Sequence, residues 1–262
     1  MRRWFAAFLF AAKLAAQGPA PDGNAIVQRS QEAVNRDWQA APGYDFFERD
    51  RVPKGTRTYH VRMIFGSPKR ILAAIDGKPL PAAQQAAEQA KLDRAIAQRR
   101  AESPAQRARR VAAYRKERDR NRQLFGQLAQ AFQFKLEGRQ MLGDREVYVL
   151  QATPRPGYNP PSLQTRVLTG MRGTLWIDTQ TFQWAKVEAE VIHPVSIAGF
   201  LARVDPGTRF EVEYTPVSGD IWLPSHFSMR ARAKVLYVFS RRDQADETYF
   251  GYRKSTAPAT SH

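Results

Sequence analysis

The fold is decided by the stretch Gly170-Met171-Arg172-Gly173-Thr174-Leu175-Trp176-Ile177-Asp178. Two glycines lead into a short run of large apolar residues, and Asp178 begins a turn. The chain continues over residues 184–192 with apolar side chains at every second position and Lys186, Glu188 and Glu190 between them. Since neighbouring side chains of a strand point to opposite faces, this alternation predicts a strand with one apolar and one charged face.

Alternating patterns of the same kind surround this stretch. Further strands are predicted at residues 44–51, 58–65, 70–75, 132–137, 146–153, 200–204, 209–215, 227–235 and 247–253, with turns rich in Gly, Pro and Asp between them. A helix is predicted at residues 24–38, with Asn24 as its N-cap. The chain is therefore predicted to be mainly β with some α: an antiparallel sheet of about ten strands with this helix against its concave side.

Charged residues are expected to fix the pairing of two of these strands. Glu211 and Glu213 lie on the charged face of one strand, and Arg230, Arg232 and Lys234 lie on the charged face of the next. Opposite charges that face each other across antiparallel strands stabilise a sheet by about 0.2–1 kcal/mol a pair and help to fix register. We therefore expect these acidic and basic residues to face each other.

A long segment without strand pattern, residues 82–131, interrupts the sheet. It is rich in Ala, Gln, Arg and Glu, and the sequence Ser103-Pro104-Ala105-Gln106 divides it into two predicted helices, the second about 40 Å long. Residues 115–123 are all polar or charged, so these two turns are predicted to project into solvent or to lie on an anionic surface. The basic side chains proposed for such docking are Arg107, Arg109, Arg110, Arg115, Lys116, Arg118, Arg120 and Arg122.

Length, cysteine content and charge limit the class of protein. A chain of 262 residues can bury a substantial core and is predicted to form one β-rich domain at residues 24–254. The absence of cysteine excludes disulfides, thiolate metal sites and a lipid-modified N-terminal cysteine. The formal net charge of +16 is typical of proteins that meet nucleic acid or an anionic membrane surface, or it serves solubility alone.

The N-terminus indicates export. Arg2 and Arg3 precede an apolar run, and small residues follow up to Ala16, as in a secretory signal peptide at residues 1–16. A linker at 17–23 and a loose tail at 255–262 complete the predicted organisation. The protein is expected in the periplasm, where it would meet little nucleic acid, so no nucleic-acid partner is predicted. The twin-arginine and the general secretory routes both fit.

Motifs for catalysis or for cofactors are not found. The sequence has no Gly-x-Ser-x-Gly elbow, His-Glu-x-x-His helix or phosphate loop, and its four histidines are scattered. Asp178 is interpreted as a turn residue, while Glu188 and Glu190 share a face as solvated strand residues do. No enzyme, metal or cofactor is predicted. An undetected hydrolase would need a polar cluster inside the concavity of the sheet.

The order of these features resembles that of the LolA-like superfamily. The resemblance rests on a signal peptide, a helix, and a long antiparallel sheet in which residues 173–178 precede the strand with alternating Lys and Glu. Residues 152–158 and 207–211 are similar to those of exported bacterial proteins that carry the same long charged helical insertion. The superfamily includes periplasmic carriers that sort outer-membrane lipoproteins and a related domain of a periplasmic sigma-factor regulator.

The resemblance implies an unclosed β-barrel, or half-barrel, wrapped around helices, with a cavity that holds acyl chains. It also implies the residues that line this cavity: Val61, Met63, Phe65, Phe134, Leu136, Leu175, Ile177, Val187, Val191, Phe227 and Met229. Aliphatic strand residues more often belong to a core filled by its own side chains, although Met63 and Met229 favour a cavity because methionine adapts to variable apolar ligands.

Two functions follow from the resemblance. The first is a non-enzymatic periplasmic carrier for lipid or lipoprotein acyl chains, guided by its basic helix to an anionic membrane surface or an acidic envelope protein. The alternative is an envelope stress sensor or protein-interaction module with the same fold and no transported cargo.

Overall fold

The structure is a computed structural model that describes residues 22–163, 165–196, 202–235 and 239–256. The predicted signal peptide, residues 17–21 of the linker and residues 257–262 of the tail lie outside the described residues. None of the helices in the described ranges is both long and apolar enough to cross a membrane.

The described residues form three α-helices, α1 Gly23–Ala40, α2 Ala82–Ala101 and α3 Pro104–Ala131, and two short 3₁₀ helices, Ala41–Gly43 and Thr165–Gly170. The strands of this part of the chain are β1 Tyr44–Val52, β2 Gly55–Ile64, β3 Ser67–Ile75, β4 Lys78–Pro79, β5 Phe132–Leu142, β6 Arg145–Pro154, β7 Met171–Asp178, β8 Trp184–Val191, β9 Val195–Ser196, β10 Ala202–Val204, β11 Arg209–Ser218, β12 Ile221–Val235 and β13 Phe239–Lys254.

The strands form one antiparallel sheet that does not close. Its order is β4-β3-β2-β1-β13-β12-β11-β8-β7-β6-β5, and β10 joins β9 to β12 beside this path. The two ends of the path, β4 and β5, are not paired with each other in the described part of the chain. The predicted fold class, an unclosed antiparallel half-barrel with helices and a helical insertion, is therefore confirmed.

Helix α1 packs against one face of this sheet, which we call the inner face. Ile26 and Val27 of α1 form one cluster with buried residues of β6, β7 and β8, among them Leu150, Ile177 and Val191. The C-terminal part of α3 joins the same cluster through Leu124, Phe125, Leu128 and Ala129. The apolar face that the alternation over residues 184–192 predicts is therefore the face that the helices cover.

Buried hydrogen bonds fix the position of α1 on the inner face. The indole Nε1 of Trp184 donates to Ser30 Oγ at 2.9 Å. The carboxylate Oδ1 of Asp37 accepts from Gln183 Nε2 at 3.2 Å and from the backbone N–H of Trp222 at 3.0 Å. Burial raises the pKa of Asp37 to about 6 even though these bonds lower it. Each of these bonds joins α1 to a residue that is far away in the sequence.

The N-terminus of α1 differs from the prediction. The N-cap is Asp22, whose side chain accepts from the backbone N–H of Ala25 at 3.3 Å, and not Asn24. Asn24 instead accepts from the backbone N–H of Phe134 at 3.2 Å and so bonds to β5. The neighbouring Gly23 permits this close approach, because a Cβ there would lie 2.4 Å from the Phe134 carbonyl oxygen.

The predicted pairing of charges between β11 and β12 is wrong. Glu211 lies opposite Ser228 and Glu213 opposite His226. Arg230 lies opposite Arg209, the first residue of β11, so β11 does not reach Arg232 and Lys234. Alternation predicts the face that a residue occupies but not its partner, and a bulge at Glu213/Tyr214 shifts this pairing.

The two acidic residues pair on the other side of β11. Lys186 of β8 lies 3.0 Å from Glu211, 3.6 Å from Glu213 and 2.8 Å from Glu188 on its own strand. These ion pairs and hydrogen bonds raise the pKa of Lys186 although its burial opposes the rise. The charged face therefore carries an ion-pair network, but with different members from those predicted.

The helical insertion packs against the domain along much of its length. The predicted capping box at Ser103 and Gln106 is present. In α2, Leu92 and Ile96 cover Ile64 and Ile71 of the β2–β3 hairpin. Arg99 donates to the carbonyl oxygens of Ile64, Ser67 and Pro68 in the same hairpin.

One basic residue of the polar turns at 115–123 also contacts the domain. The Arg118 guanidinium lies 4.6 Å from the centre of the Trp38 ring and donates to the Trp38 carbonyl oxygen. The prediction that these turns project away from the domain is therefore wrong for Arg118. A planar guanidinium stacks on aromatic rings, which an apolar pattern cannot reveal.

Candidate functional site

Most of the predicted cavity residues lie in the main core cluster on the inner face. Phe134, Leu175, Ile177 and Val191 are buried there, and Leu136 and Val187 pack against it partly buried. Cross-strand pairing continues this face, because Leu175 lies opposite Val187, Val187 opposite Val212, and Val212 opposite Phe227.

The remaining predicted cavity residues lie on the other half of the molecule. Val61 and Met63 of β2 are buried, and Phe227 and Met229 of β12 are half-buried. Phe65 follows the end of β2 with a positive φ of 46° and packs with Ile64, Ile71 and Leu92 under α2. Phe65 thus belongs to a cluster separate from the main one.

An apolar cleft opens where α3 meets the inner face. It has a volume of about 60 Å³ and is bordered by Leu128 and Leu168 on one side and by Phe134, Met171 and Leu175 on the other. We call residues 124–131 of α3 together with the 3₁₀ helix Thr165–Gly170 the lid. Sites for small molecules usually have volumes of about 300–1,000 Å³, so the cleft is closed to a ligand in this structure.

Polar bonds tie the lid to the loop that follows β6. Arg155 donates to the carbonyl oxygens of Ala129, Gln130 and Phe132 at the C-terminal end of α3. The hydroxyl of Tyr158 donates to Gln127 Oε1 at 3.1 Å. The bonds from Arg155 to Ala129 and Gln130 satisfy carbonyl groups in the last turn of α3, which have no partner within the helix. The loop that follows β6 therefore fixes the position of the lid.

Three carboxylates meet on the inner face of β1 and β13. Phe227 lies opposite Glu247, and Glu247 opposite Asp50, which places Asp50 and its neighbour Glu48 on the inner face. One oxygen of each carboxylate lies within 4.8 Å of the others. We call Glu48, Asp50 and Glu247 the inner carboxylate cluster. The sequence did not reveal it, because its members come from two distant strands.

The cluster has its own positive and hydrogen-bonding partners. Arg70 lies 3.0 Å from Glu48 and 2.7 Å from Asp50, and the Tyr249 hydroxyl donates to Glu247. The pKa of Glu48 is raised to about 7, chiefly by burial, while Arg70 lowers it and the nearby Asp50 adds to the rise. Burial and Glu247 raise the pKa of Tyr249 as well. This is a polar cluster of the kind that the hydrolase hypothesis required, and Asp50 Oδ1 within it is buried without a hydrogen-bond partner.

Asp178 has the structural role that the sequence predicted for it. Its carboxylate accepts from the backbone N–H groups of Gln180 and Thr181 and lies 3.0 Å from Arg145. Burial alone would raise its pKa, but the bonds from Thr181 and Arg145 lower it. Asp178 thus fixes the turn between β7 and β8.

The predicted docking residues of α3 fall into two groups. Arg107, Arg110 and Arg118 are half-buried. The guanidinium of Arg110 donates to Glu102 and to the Phe65 carbonyl oxygen. The other members of the predicted set are exposed, namely Arg109, Arg115, Lys116, Arg120 and Arg122. Only these exposed residues are placed to meet an external anionic surface.

A larger groove lies on the opposite, charged face of the sheet. Its volume is about 420 Å³. We call it the outer groove, and its polar side chains are Gln151, Arg172, Thr174, Glu188, Glu190, Arg209, Glu211, Ser228 and Arg230. Alternation along the sequence does not predict this groove, because its residues come from five strands that pair only in the folded sheet.

Comparison with known proteins finds similarity among solved structures alone. No family model and no curated protein matches the chain. LolA superfamily protein NE2245 from Nitrosomonas europaea has 11% identity and a TM-score of 0.33, with 91% of this chain and 96% of that chain covered. An outer membrane lipoprotein-sorting protein domain from Vibrio parahaemolyticus has 11% identity and a TM-score of 0.35, with 89% and 94% covered.

A DUF1329 family protein from Desulfovibrio piger has 11% identity and a TM-score of 0.33, with 91% of this chain and 96% of that chain covered. The similarity to LolA-like proteins that the sequence shows is thus found again among solved structures. At this identity and these TM-scores, the similarity carries no argument about ligand or activity.

Proposed function

We propose that the protein is a non-enzymatic binding protein of the bacterial cell envelope that takes up an acyl chain between the lid and the inner face of the sheet. The observation that supports this most directly is the apolar cleft at the edge of the lid. Its border consists of residues from the lid, such as Leu128 and Leu168, facing Leu175 of the sheet. Export through residues 1–16 is part of the proposal.

Binding requires the lid to move, since a cleft of about 60 Å³ is too small for an acyl chain. Lid residues Leu124, Phe125 and Leu128 are only partly buried, whereas Leu150 and Ile177 beneath them are fully buried. Displacing the lid therefore separates apolar surfaces that an acyl chain can cover again. The ligand replaces the contacts that the lid loses, so the exchange costs little apolar exposure.

A larger side chain in the cleft should block binding. We expect Ala189→Leu, which adds volume at the cleft, to reduce the affinity for a fluorescent long-chain fatty acid at least about tenfold, or ~1.4 kcal/mol. Ala74→Leu on β3, outside the cleft, is the matched control and should bind as wild type does. Fluorescence titration of both variants measures the effect.

Native mass spectrometry supplies the second arm of this test. Protein purified from its own periplasm, with lipid extraction, should carry acyl chains. The carrier proposal would be overturned if the purified protein carried no acyl chains and also did not bind the fatty acid in the titration.

The exposed basic residues of α3 are proposed to attract the protein to an anionic membrane surface. Each Lys or Arg near such a surface contributes about 1 kcal/mol of attraction. We expect glutamine at Arg109, Arg115, Lys116, Arg120 and Arg122 together to abolish most binding to phosphatidylglycerol vesicles in a sedimentation assay. Glutamine at Arg49, Arg51, Lys54, Arg57 and Arg139, which removes the same charge elsewhere, is the control. Equal losses for the two variants would rule out docking through α3.

A packed interior favours the alternative function, an envelope sensor or interaction module without cargo. Trp184, Ile177 and Val191 are fully or almost fully buried against α1 and fill the inner face that they line. An interior filled in this way needs no ligand for its stability. The empty-protein outcome described above would support this alternative.

A further inference from the structure

One end of the outer groove carries an excess of positive charge. Arg172, Glu190, Arg209 and Arg230 lie opposite one another in a row across β7, β8, β11 and β12. Arg172 and Arg209 share the one carboxylate in this row, at 3.3 Å and 3.4 Å from its two oxygens. No described residue supplies Arg230 with a carboxylate.

At the other end of the outer groove, carboxylates surround one lysine. Glu188 and Glu211 both bind the ammonium group of Lys186, at 2.8 Å and 3.0 Å. In the described part of the chain, no ion pair joins these two carboxylates to the arginine row. The excess of positive charge is confined to the row that contains Arg209 and Arg230.

Arg209 and Arg230 also face each other directly across two strands. Like charges in that position destabilise a sheet. An anion between them removes this repulsion, and arginine is the side chain best suited to bind phosphate because its N–H groups match two phosphate oxygens. A neighbouring row of the outer groove contains the hydroxyl groups of Thr174 and Ser228 and the amide group of Gln151.

We infer that the outer groove binds a small soluble molecule that carries a phosphate group and hydroxyl groups. The phosphate lies between Arg209 and Arg230, and the hydroxyl-bearing part extends towards Ser228. The volume of about 420 Å³ lies within the range of small-molecule sites and favours such a ligand over a flat surface. This inference does not depend on the acyl-chain proposal, whose cleft lies at the lid.

The test is calorimetric titration of the full exported protein with glycerol phosphate at low salt, with glycerol as the uncharged comparison. We expect wild type to bind glycerol phosphate and not glycerol. Arg209→Gln and Arg230→Gln should each weaken binding about tenfold or more. Arg100→Gln, which removes one exposed charge from α2, should leave binding unchanged.

Thermal unfolding separates loss of the site from loss of the fold. Without ligand, Arg230→Gln should melt no lower than wild type, because it removes a like-charge contact. The inference is wrong if wild type fails to bind glycerol phosphate or if Arg230→Gln binds it as well as Arg100→Gln does. Phosphatidylglycerol vesicles form the last arm: binding to vesicles alone, lost in Arg230→Gln, would assign the groove to a lipid surface and overturn the soluble ligand.

Discussion

Trp184→Ala is expected to lower the free energy of unfolding by about 3–5 kcal/mol. Trp184 is 2% exposed and belongs to the cluster that joins the sheet to α1 and α3. Its ring lies edge-on to Phe125 of α3, with the ring centres 5.9 Å apart. Removing the indole leaves a cavity between the sheet and both helices, and it leaves Ser30 without its donor. Urea denaturation followed by circular dichroism measures the loss.

A second variant separates packing from hydrogen bonding at this position. Ser30→Ala keeps the indole but leaves its N–H unsatisfied in a buried place, which costs about 1–3 kcal/mol. Met141→Ala is the control, because Met141 is 62% exposed and should change stability by less than about 0.5 kcal/mol. A loss in Trp184→Ala no larger than that of the control would contradict the proposed role of the cluster.

Glu48→Gln is expected to stabilise the protein above neutral pH. The pKa of Glu48 is raised from its ordinary value of 4.5 to about 7, chiefly by burial. The folded protein therefore favours the protonated carboxyl. The stability that this group contributes is complete below about pH 4.5 and is lost as the pH rises through about 7. Glutamine stays neutral and avoids this loss.

The gain from Glu48→Gln at pH 8 has an upper limit of about 3 kcal/mol, since one pKa unit corresponds to about 1.4 kcal/mol. At pH 4 the variant and wild type should have nearly equal stability. Asp50, Glu247, Tyr249 and Arg70 surround the group, and Arg70 keeps its bond to Asp50 in the variant. Urea denaturation at both pH values is the measurement. Glu32→Gln, on the exposed side of α1, should show no such difference.

The wild-type protein should itself lose stability between about pH 5 and pH 8. Asp37, with a pKa of about 6, also makes the folded protein less stable as the pH rises. The variant Glu48→Gln retains this contribution from Asp37. A variant whose stability falls with pH as steeply as that of wild type would show that Glu48 is solvated and ionised in the folded protein.

The fold could be predicted from the sequence because apolar alternation and turn residues act locally. The strand over residues 184–192 and the capping box at Ser103 needed only neighbouring residues. The pairing of strands could not be predicted from neighbouring residues alone. A bulge at Glu213/Tyr214 sets which residues meet between β11 and β12, and a bulge has no signature in alternation.

The candidate sites depend on contacts between distant segments. Glu48 and Glu247 are nearly two hundred positions apart in the chain and meet only because β1 pairs with β13. The arginine row of the outer groove likewise forms only when β7, β8, β11 and β12 pair in the observed register. The stacking of Arg118 on Trp38 joins a polar helix to α1, although the apolar pattern assigned that part of the helix to solvent.

The two borders of the open sheet are each protected from further strands. At one border, β4 has two residues and ends in Pro79, which has no N–H to offer, and Glu88 of α2 accepts the N–H of Leu72 on the neighbouring strand. At the other, Asn24 accepts the N–H of Phe134. Unprotected sheet borders recruit other chains into fibrils. The molecule can therefore keep an unclosed barrel, with room for its helices, and still resist growth into amyloid-like aggregates.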